Sequence, residues 1–347
     1  MILVGAMVLA LWGIGMLMGA PKKARWVMIS ILMVGVILVQ ITFIEGHPFR
    51  EATGGDVRLW ALLIGFAVII AAYRWLLTKL KAKAKAEEST APLQTGTFSE
   101  TEINRYARHM IMREIGGLGQ KKLKEAKVLV IGAGGLGSPA LLYLAAAGVG
   151  TIGIVDDDEV EGSNLQRQVI HADSRIGMPK VFSAETAMKD INPFITVKPY
   201  QRRLTEKDAE ALIGEYDIVL DGTDNFATRY LVNRTCAKLD KPLVAAAMTQ
   251  WEGQISLYDP ANGAPCYECV FPEAPADGLV PTCAQAGVLG PLPGVIGSLM
   301  ATEAVKAIVG AGEGLRGRLL IYDALYAEPR VLRTKRREDC PACGKPH

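Results

Sequence analysis

Three long apolar stretches crowd the first 80 residues of the chain. They cover Met1–Ala20, Trp26–Ile44 and Leu59–Leu77. Each is about as long as a helix that crosses a lipid bilayer. The pattern therefore predicts three transmembrane helices, at about 2–20, 26–44 and 59–77, which together form a membrane anchor of residues 1–80.

The charges between these stretches predict the orientation of the anchor. The short loop Pro21–Arg25 is basic, lysines follow the third stretch, and the loop Glu45–Arg58 is mixed. Basic loops stay on the cytoplasmic side of a membrane. We therefore expect a multi-pass protein of the inner (cytoplasmic) membrane, with its N-terminus outside and everything after Leu80 in the cytoplasm. A signal peptide is disfavoured, because the basic residues follow the first apolar run instead of preceding it.

The rest of the chain has the pattern of a folded domain. Residues 81–97 show no apolar period and are predicted to be a linker, and residues 98–347 form the domain. The predicted strands of its first part are Lys127–Ile131, Thr151–Val155, Thr196–Tyr200 and Ile218–Leu220. The predicted helices between them are Ser138–Ala147, Lys180–Lys189 and Glu206–Leu212. This alternation is typical of a parallel sheet with helices on both faces.

The pattern changes after Pro242. Further strands are predicted at Leu243–Ala247, Gln254–Tyr258, Arg318–Tyr322 and Pro329–Leu332, with a helix at Gly294–Val309. A capping-box sequence at Ser99 predicts that the domain starts with a helix over Glu100–Ile115. The fold class is therefore α/β, with a Rossmann-like parallel sheet followed by a C-terminal mixed sheet.

Net charge and cysteine content limit the kinds of ligand that the protein is expected to bind. A net charge of +2 over 347 residues gives no reason to expect nucleic-acid binding. The cysteines Cys266, Cys269, Cys340 and Cys343 form two Cys-x-x-Cys pairs. Disulfides are rare in the cytoplasm, and four thiolates suit a tetrahedral Zn²⁺ with no open position. We therefore predict a structural zinc site, and we assign Cys236 to the core.

A glycine-rich loop joins the first predicted strand to its helix. It contains Gly132, Gly134, Gly135 and Gly137. Glycines let the backbone approach a ligand, and the helix N-terminus that follows favours anionic oxygens. Asp156, at the end of the next strand, is suited to ribose hydroxyls. These features alone would fit NAD or FAD as well as ATP.

Downstream polar residues favour ATP. They are Ser163, Asn164, Leu165, Gln166 and Arg167, followed by Lys180, Asp224 and Asn225. A triphosphate needs cations when a carboxylate attacks its α-phosphorus and pyrophosphate leaves, and arginine and lysine supply them. Asp224 is suited to Mg²⁺. Adenylation is thus favoured over two alternatives, an NAD-dependent oxidoreductase and a membrane-tethered binding protein without chemistry.

The sequence leaves two interpretations of the role of Cys283 open. It lies in a long irregular stretch rich in proline and glycine, and it is a candidate nucleophile for acyl or sulfur transfer. A buried, unreactive thiol is the alternative, because no histidine obviously pairs with it. We treat His109 and His171 as structural.

Residues Phe98–Gly344 resemble the MoeB/ThiF/HesA family, relatives of the ubiquitin-activating enzymes. The motifs that carry the resemblance are Arg105–His109, the glycine loop, Ser163–Gln168, Gly177–Lys180, Thr223–Asn225 and the two cysteine pairs. The resemblance implies that ATP adenylates the C-terminal Gly-Gly carboxylate of a ubiquitin-like sulfur carrier. It also implies a homodimer in which Arg108 reaches the site of the partner subunit.

The resemblance is strongest to the branch that activates the small subunit of molybdopterin synthase, in molybdenum cofactor biosynthesis. The cysteine pairs and Thr282–Val288 carry this similarity. A thiamine-pathway or other sulfur carrier is the alternative substrate. No rhodanese-type domain follows Cys343, so we expect a separate protein to donate sulfur. The membrane anchor is a departure from the soluble relatives.

Overall fold

The computed structural model describes residues 2–54, 97–275 and 286–344. Between 55 and 96 it describes only positions 58, 60, 62, 65, 66, 69, 70 and 72–79. The chain divides into two units, Met1–Gln94 and Thr95–His347. Each unit is described by itself below.

The first unit contains the helices Ile2–Leu17 and Lys22–Thr42 and the short helix Pro48–Ala52. Gly19, with a φ of 66°, and Pro21 separate the first two helices. The first helix has 16 residues, because this Gly-Ala-Pro turn ends it before it reaches the length that usually spans a bilayer.

The expected three spans are therefore not shown. Among the described residues, two helices are long and apolar enough to cross a membrane, Lys22–Thr42 and Pro291–Val309. Half of the apolar window of Pro291–Val309 is buried, against 17% for Lys22–Thr42, so the former is a core helix of the second unit. In the third predicted span, 59–77, seven of the nineteen positions lie outside the described residues.

The second unit is built on one eight-stranded sheet. Its strands are β1 Lys127–Ile131, β2 Thr151–Asp156, β3 Thr196–Gln201, β4 Ile218–Asp221, β5 Leu243–Met248, β6 Glu252–Tyr258, β7 Arg318–Asp323 and β8 Glu328–Arg333. The spatial order is β3-β2-β1-β4-β5-β6-β7-β8. Strands β1 to β5 are parallel, and β6, β7 and β8 are added antiparallel. The prediction of an α/β fold is confirmed, and the C-terminal strands extend the parallel sheet.

Helices cover both faces of the parallel strands. Val128 and Val130 of β1 pack into one core with the helices Gly137–Ala147, Lys180–Ile191 and Pro291–Val309. Leu129 and Ile131 point to the other face, against the helices Glu206–Gly214 and Phe226–Lys238. Successive side chains of a strand alternate between faces, so the continuous apolar run of β1 is buried on both. Each such side chain stabilises the fold by roughly 1.5–3 kcal/mol.

The helix at the start of this unit is shorter than predicted. Ser99 and Glu102 form the expected capping box, but the helix ends at Met110, and a second helix, Gly116–Glu125, begins after a turn. Gly116, at which the second helix begins, has a φ of 59°, so the two helices cannot be one continuous right-handed helix. The sequence did not predict the second helix, because its glycines have low helix propensity.

Candidate nucleotide site and cysteine cluster

The carboxyl ends of the central strands meet at one edge of the sheet. Ile131 of β1 pairs with Val155 of β2 on one side and with Asp221 of β4 on the other. Strand order reverses between β1 and β4, which is where open α/β sheets bind ligands. A cavity of about 930 Å³ opens there, which is large enough for a nucleotide and part of a peptide.

Many of the predicted nucleotide residues line this cavity. They are Gly132, Gly134, Gly135, Asp156, Arg167, Lys180, Asp224 and Asn225. They lie along three strand-to-helix connections, after β1, β2 and β4, so the fold brings together residues that are up to 93 positions apart in the sequence. Their contact with a nucleotide stays a prediction.

The other predicted site residues do not line the cavity. They are Gly137, Ser163, Asn164, Leu165, Gln166 and Arg108. Arg108 is exposed on the helix Glu100–Met110, where it does not face the cavity of its own chain. Cys283 lies outside the described residues.

Two positions of the loop require glycine for different structural reasons. Gly132 has a φ of 92°, which a side chain would strain. A Cβ on Gly137 would stand 1.9 Å from the carbonyl oxygen of Gly132. Gly137 is therefore needed for close packing of the loop on its own helix, not for room in the cavity.

The Asp156 carboxylate is held by the loop it faces. Oδ2 accepts a hydrogen bond from the backbone N–H of Ala133 at 2.7 Å, and Oδ1 accepts one from Asp158 N–H at 2.9 Å. Burial raises the pKa of Asp156, and the nearby Lys180 ammonium and these N–H groups oppose that shift. The carboxylate keeps further lone pairs with which it can accept ribose hydroxyls.

Lys180 is a buried cation at the start of its helix. Its side chain is 5% exposed, and Nζ contacts Oδ2 of Asp158 at 2.7 Å. The backbone N–H of Lys180 also donates to the carbonyl of Asp158, at 2.9 Å. The lysine is thus fixed against the loop after β2, with its ammonium on the cavity wall.

Ser163 and Asn164 act on the cavity through Arg167. The Nη2 group of Arg167 donates to Oδ1 of Asn164 at 2.8 Å. The Ser163 hydroxyl and the Asn164 amide both donate to Glu161, each at 3.3 Å. This chain of hydrogen bonds limits the rotation of the guanidinium, which is half-buried on the cavity wall.

The loop after β4 presents Asp224 to the cavity. Asp221 is buried, and its Oδ1 accepts from both the N–H and the hydroxyl of Thr223, at 2.9 and 2.6 Å. Asn225 caps the helix Phe226–Lys238, because its Oδ1 accepts from Thr228 N–H at 2.8 Å. Asp224 itself is exposed, so its carboxylate is open to a cation.

His171 supports the glycine loop, in agreement with the structural role predicted for it. One ring nitrogen, Nε2, lies 2.9 Å from the carbonyl oxygen of Ala133, and Nδ1 lies 2.9 Å from the Ser183 hydroxyl. Burial lowers the pKa of His171 to about 4. The ring is therefore neutral at physiological pH, with Nε2–H donating to the loop and Nδ1 accepting from the serine.

Other cavity residues have no predicted role in the sequence. They include Gln168, Arg202, Arg203, Arg229, Met248, Tyr267 and Phe271. Most come from loops and strands far from the motifs, so spacing gives no signal for them. Gln168 is the exception, because it follows Arg167 directly within a motif.

The four paired cysteines form one cluster. The Sγ atom of Cys266 lies 3.8 Å from that of Cys269 and 3.5 Å from that of Cys340, and the Sγ atoms of Cys269 and Cys343 are 3.4 Å apart. Zinc–sulfur bonds of about 2.3 Å in a tetrahedron place sulfurs roughly 3.8 Å apart. The donor set therefore fits Zn²⁺, and four protein ligands leave no open position for catalysis.

Buried polar contacts tie this cluster to the helix Phe226–Lys238. Asn233 accepts from Tyr267 N–H at 2.7 Å, and its amide lies 3.7 Å from the Cys266 sulfur. Glu268 is buried and accepts from Arg234 Nε at 2.9 Å and from Asn233 at 3.1 Å. Hydrogen bonds of this kind orient metal ligands.

Several known proteins are similar to this chain in sequence or in fold. The chain is 47% identical over 251 residues to the sulfur carrier protein adenylyltransferase of Thermus thermophilus, covering 71% of this chain and 93% of that protein. It is 47% identical over 249 residues to the adenylyltransferase and sulfurtransferase MOCS3 of Bos taurus, covering 72% of this chain and 54% of that protein. A crystal structure of E. coli MccB with ATP matches with a TM-score of 0.62 and 25% identity, covering 71% of this chain and 76% of that one.

The family match covers most of the second unit. It extends over residues 106–342, which include the glycine loop, the residues that line the cavity and three of the four clustered cysteines, and Cys343 follows directly after it. The resemblance drawn from the motifs is thereby confirmed: the chain belongs to the ThiF family.

Proposed function

We propose that this protein is an ATP-dependent adenylyltransferase that activates the C-terminal carboxylate of a ubiquitin-like sulfur carrier. The observation that carries the proposal is the meeting of Arg167, Lys180 and Asp156 with the glycine loop in one cavity. Two cations beside an anion-binding loop suit a triphosphate better than a dinucleotide, whose pyrophosphate carries less charge.

The proposed step is a displacement at the α-phosphorus. A carboxylate oxygen of the carrier forms a bond to that phosphorus, the bond to the bridging oxygen of the β-phosphate breaks, and pyrophosphate leaves with the electron pair. The products are an acyl-adenylate and pyrophosphate. Arg167 and Lys180 would offset the charge that develops on the phosphate oxygens, and their fixed positions avoid reorganisation during the reaction.

A divalent cation fits the exposed carboxylate of Asp224. Mg²⁺ prefers oxygen ligands and shares them with phosphates. When bound, it would neutralise charge on the triphosphate. The chain's own part in this is the placement of Asp224 at the cavity edge, by the hydrogen bonds of Thr223 to the buried Asp221 and by the helix cap Asn225.

Among carriers we favour the small subunit of molybdopterin synthase. Support comes from the cysteine pairs and from two relatives, one named a sulfur carrier protein adenylyltransferase and the other an adenylyltransferase and sulfurtransferase. In this proposal a separate protein then donates sulfur to the acyl-adenylate. Activation of a thiamine-pathway carrier is the alternative, and the same cavity would serve it.

Exchange of labelled pyrophosphate into ATP tests the function directly. We expect exchange that depends on Mg²⁺ and on a carrier ending in Gly-Gly, with the molybdopterin-synthase subunit more active than a thiamine carrier. A carrier lacking its last glycine is the control. Exchange with the thiamine carrier alone would show that this carrier, and not the molybdopterin-synthase subunit, is the substrate. Binding of NAD without affinity for ATP would reject adenylation.

A homodimer is part of the proposal. Arg108 is exposed and does not face the cavity of its own chain, so it is free to reach a second one. Ile111 and Leu118, just after it, are 73% and 80% exposed. Covering such side chains by a second subunit would remove apolar surface from water, which favours association.

Membrane attachment through the first unit is also proposed. It is supported by the 21-residue helix Lys22–Thr42, with a mean hydropathy of 2.1 and 17% burial. The basic residues Lys22, Lys23 and Arg25 in its first turn would face the cytoplasm. Attachment would bring carrier activation to the membrane surface and leave the chemistry in the second unit.

Removing the first unit should leave catalysis intact. A fragment of residues 95–347 keeps Thr97 and Phe98, whose backbone and ring contact Lys124. We expect it to be soluble without detergent, to sediment at the mass of a dimer and to exchange pyrophosphate within about threefold of the full chain. A folded fragment without exchange would show that the first unit takes part in the reaction. A fragment that sediments at the mass of a monomer would contradict the proposed homodimer.

A further inference from the structure

Gln168 is a polar residue of the cavity whose side chain has no described partner. It is buried, with 5% of its surface exposed, and it lines the cavity beside the glycine loop. Its Nε2 atom lies 3.6 Å from where a Cβ on Gly134 would stand. The absence of a side chain at Gly134 leaves the space between this amide and the loop open.

The amide of Gln168 is unsatisfied in the described part of the chain. Oε1 is buried without a hydrogen-bond partner. The hydrogen bonds that fix the neighbouring Arg167 side chain do not extend to that of Gln168. Buried polar side chains in folded proteins nearly always have partners. Nε2, the donor of the same amide, makes no hydrogen bond within the described residues and is the atom that lies toward Gly134, so an acceptor on a ligand is suited to complete it.

The backbone of Gln168 is rigidly held. Its N–H donates to the carbonyl of Asn164 at 3.0 Å, and its carbonyl accepts from His171 N–H at 3.1 Å. The His171 ring in turn contacts the carbonyl of Ala133 in the glycine loop, at 2.9 Å. The amide and the loop therefore belong to one braced assembly, as expected of a preorganised hydrogen-bond donor.

We propose that the side-chain amide of Gln168 donates a hydrogen bond to a phosphate oxygen of the bound nucleotide next to Gly134, as a further catalytic residue. This inference rests on the proposed adenylation. Negative charge shifts among the phosphate oxygens as the carrier carboxylate attacks and pyrophosphate leaves. A neutral donor between Arg167 and the loop stabilises that charge, and no proton is transferred through it.

Two substitutions test this role in the full-length protein. Gln168→Glu keeps the size of the side chain but replaces the donor by an acceptor with negative charge, and Gln168→Met removes both polar atoms. We expect kcat for pyrophosphate exchange at saturating ATP to fall about 10²-fold in each. ATP–Mg²⁺ binding should weaken about tenfold in Gln168→Glu, where the carboxylate repels phosphate, and less in Gln168→Met.

A matched control separates this effect from charge alone. Gln201→Glu places the same change on an exposed residue at the end of β3, outside the cavity. We expect it to keep wild-type kcat and ATP affinity. The KM for the carrier and the melting temperature should stay unchanged in Gln168→Glu, which a purely structural role would not allow.

The outcomes are separable from those of the proposed function. If the wild type exchanges and both Gln168 variants keep kcat within threefold, the inference is wrong. A fall in kcat that follows a lower melting temperature in both variants also overturns it. If the wild type shows no pyrophosphate exchange with any of the carriers, the proposed adenylation is wrong, and ATP binding then tests the role of Gln168. Equal ATP affinity in Gln168→Glu and the wild type would reject the contact, and tenfold weaker binding would support it.

Discussion

Replacing Lys180 by methionine is expected to reduce carrier-dependent pyrophosphate exchange by about 10²-fold or more. The ammonium is 5% exposed on the cavity wall and is fixed by Asp158 at 2.7 Å. A cation held in a low-dielectric site acts more strongly on phosphate charge than one in water. Methionine keeps the length and apolar volume of the lysine stem, so the substitution removes the charge and little else.

The fold should tolerate this change. Asp158, the partner of Lys180, is 64% exposed, so water solvates its carboxylate once the ammonium is gone. We expect the melting temperature to change by no more than about 2 °C, on the scale of a surface substitution. Loss of exchange would then report on catalysis, not on folding.

Lys198→Met is the matched control. Lys198 lies on β3 outside the cavity, is 47% exposed and pairs with Glu215 at 3.4 Å. It should keep exchange within about twofold, because exposed ion pairs contribute little. If Lys180→Met also retained wild-type exchange, the phosphates would not lie against this wall, and the proposed geometry would have to be abandoned.

The strands of the sheet could be predicted because each one is a short apolar run between turn residues. β1, for example, has the predicted bounds Lys127–Ile131, and the polar Lys127 and Gly132 delimit it. Burial on both faces makes such runs continuous and easy to recognise. The order of strands follows from right-handed crossovers only for the parallel part, so the antiparallel extension by β6, β7 and β8 needed the structure.

The membrane segments were harder to judge from apolarity alone. Ile2–Leu17 is apolar enough to suggest a span, yet the backbone turn at Gly19 shortens it. Pro291–Val309 is also apolar, with a mean hydropathy of 1.4, but for a different reason, because it packs in the core against the sheet. Hydropathy reports an apolar surrounding and does not say whether lipid or protein provides it.

Motifs identified the wall of the cavity but not the supports behind it. Arg167 and Lys180 face the cavity, as their chemistry suggests, whereas Asn164 is turned toward the Arg167 guanidinium. Arg229 and Tyr267 reach the cavity from the helix after β4 and from the cysteine turn. Their distance in the sequence from the glycine loop hides this relation, because only the tertiary fold brings them there.

The position of Tyr267 links the cysteine cluster to the cavity. It lies between Cys266 and Cys269, and its ring packs against Tyr230 at 5.5 Å and Phe271 at 4.9 Å between ring centroids. The turn that the metal would hold therefore carries part of the cavity wall. A metal held by the four cysteines would thus support the shape of the cavity.

Replacing Cys343 by serine should remove the metal and loosen the C-terminal segment. We expect zinc to fall from about one ion per chain to near zero, since serine is a poor zinc ligand. Metal binding and folding are coupled in such sites. A loss of ~3 kcal/mol would lower the melting temperature by roughly 6–12 °C. Elemental analysis and thermal unfolding of the full chain measure both effects.

Limited trypsin digestion tests what the metal holds together. The basic run Lys335–Arg337 precedes Cys340, and the backbone N–H of Arg337 lies 3.4 Å from the Cys269 sulfur. Once the cluster opens, this run should be cut faster, because local unfolding exposes it. Cys236→Ala is the control, since Cys236 is buried in its helix outside the cluster and should leave zinc in place. If Cys343→Ser lost its zinc but kept the wild-type rate of cleavage, side-chain packing and not the metal would hold the C-terminal segment to the cavity wall.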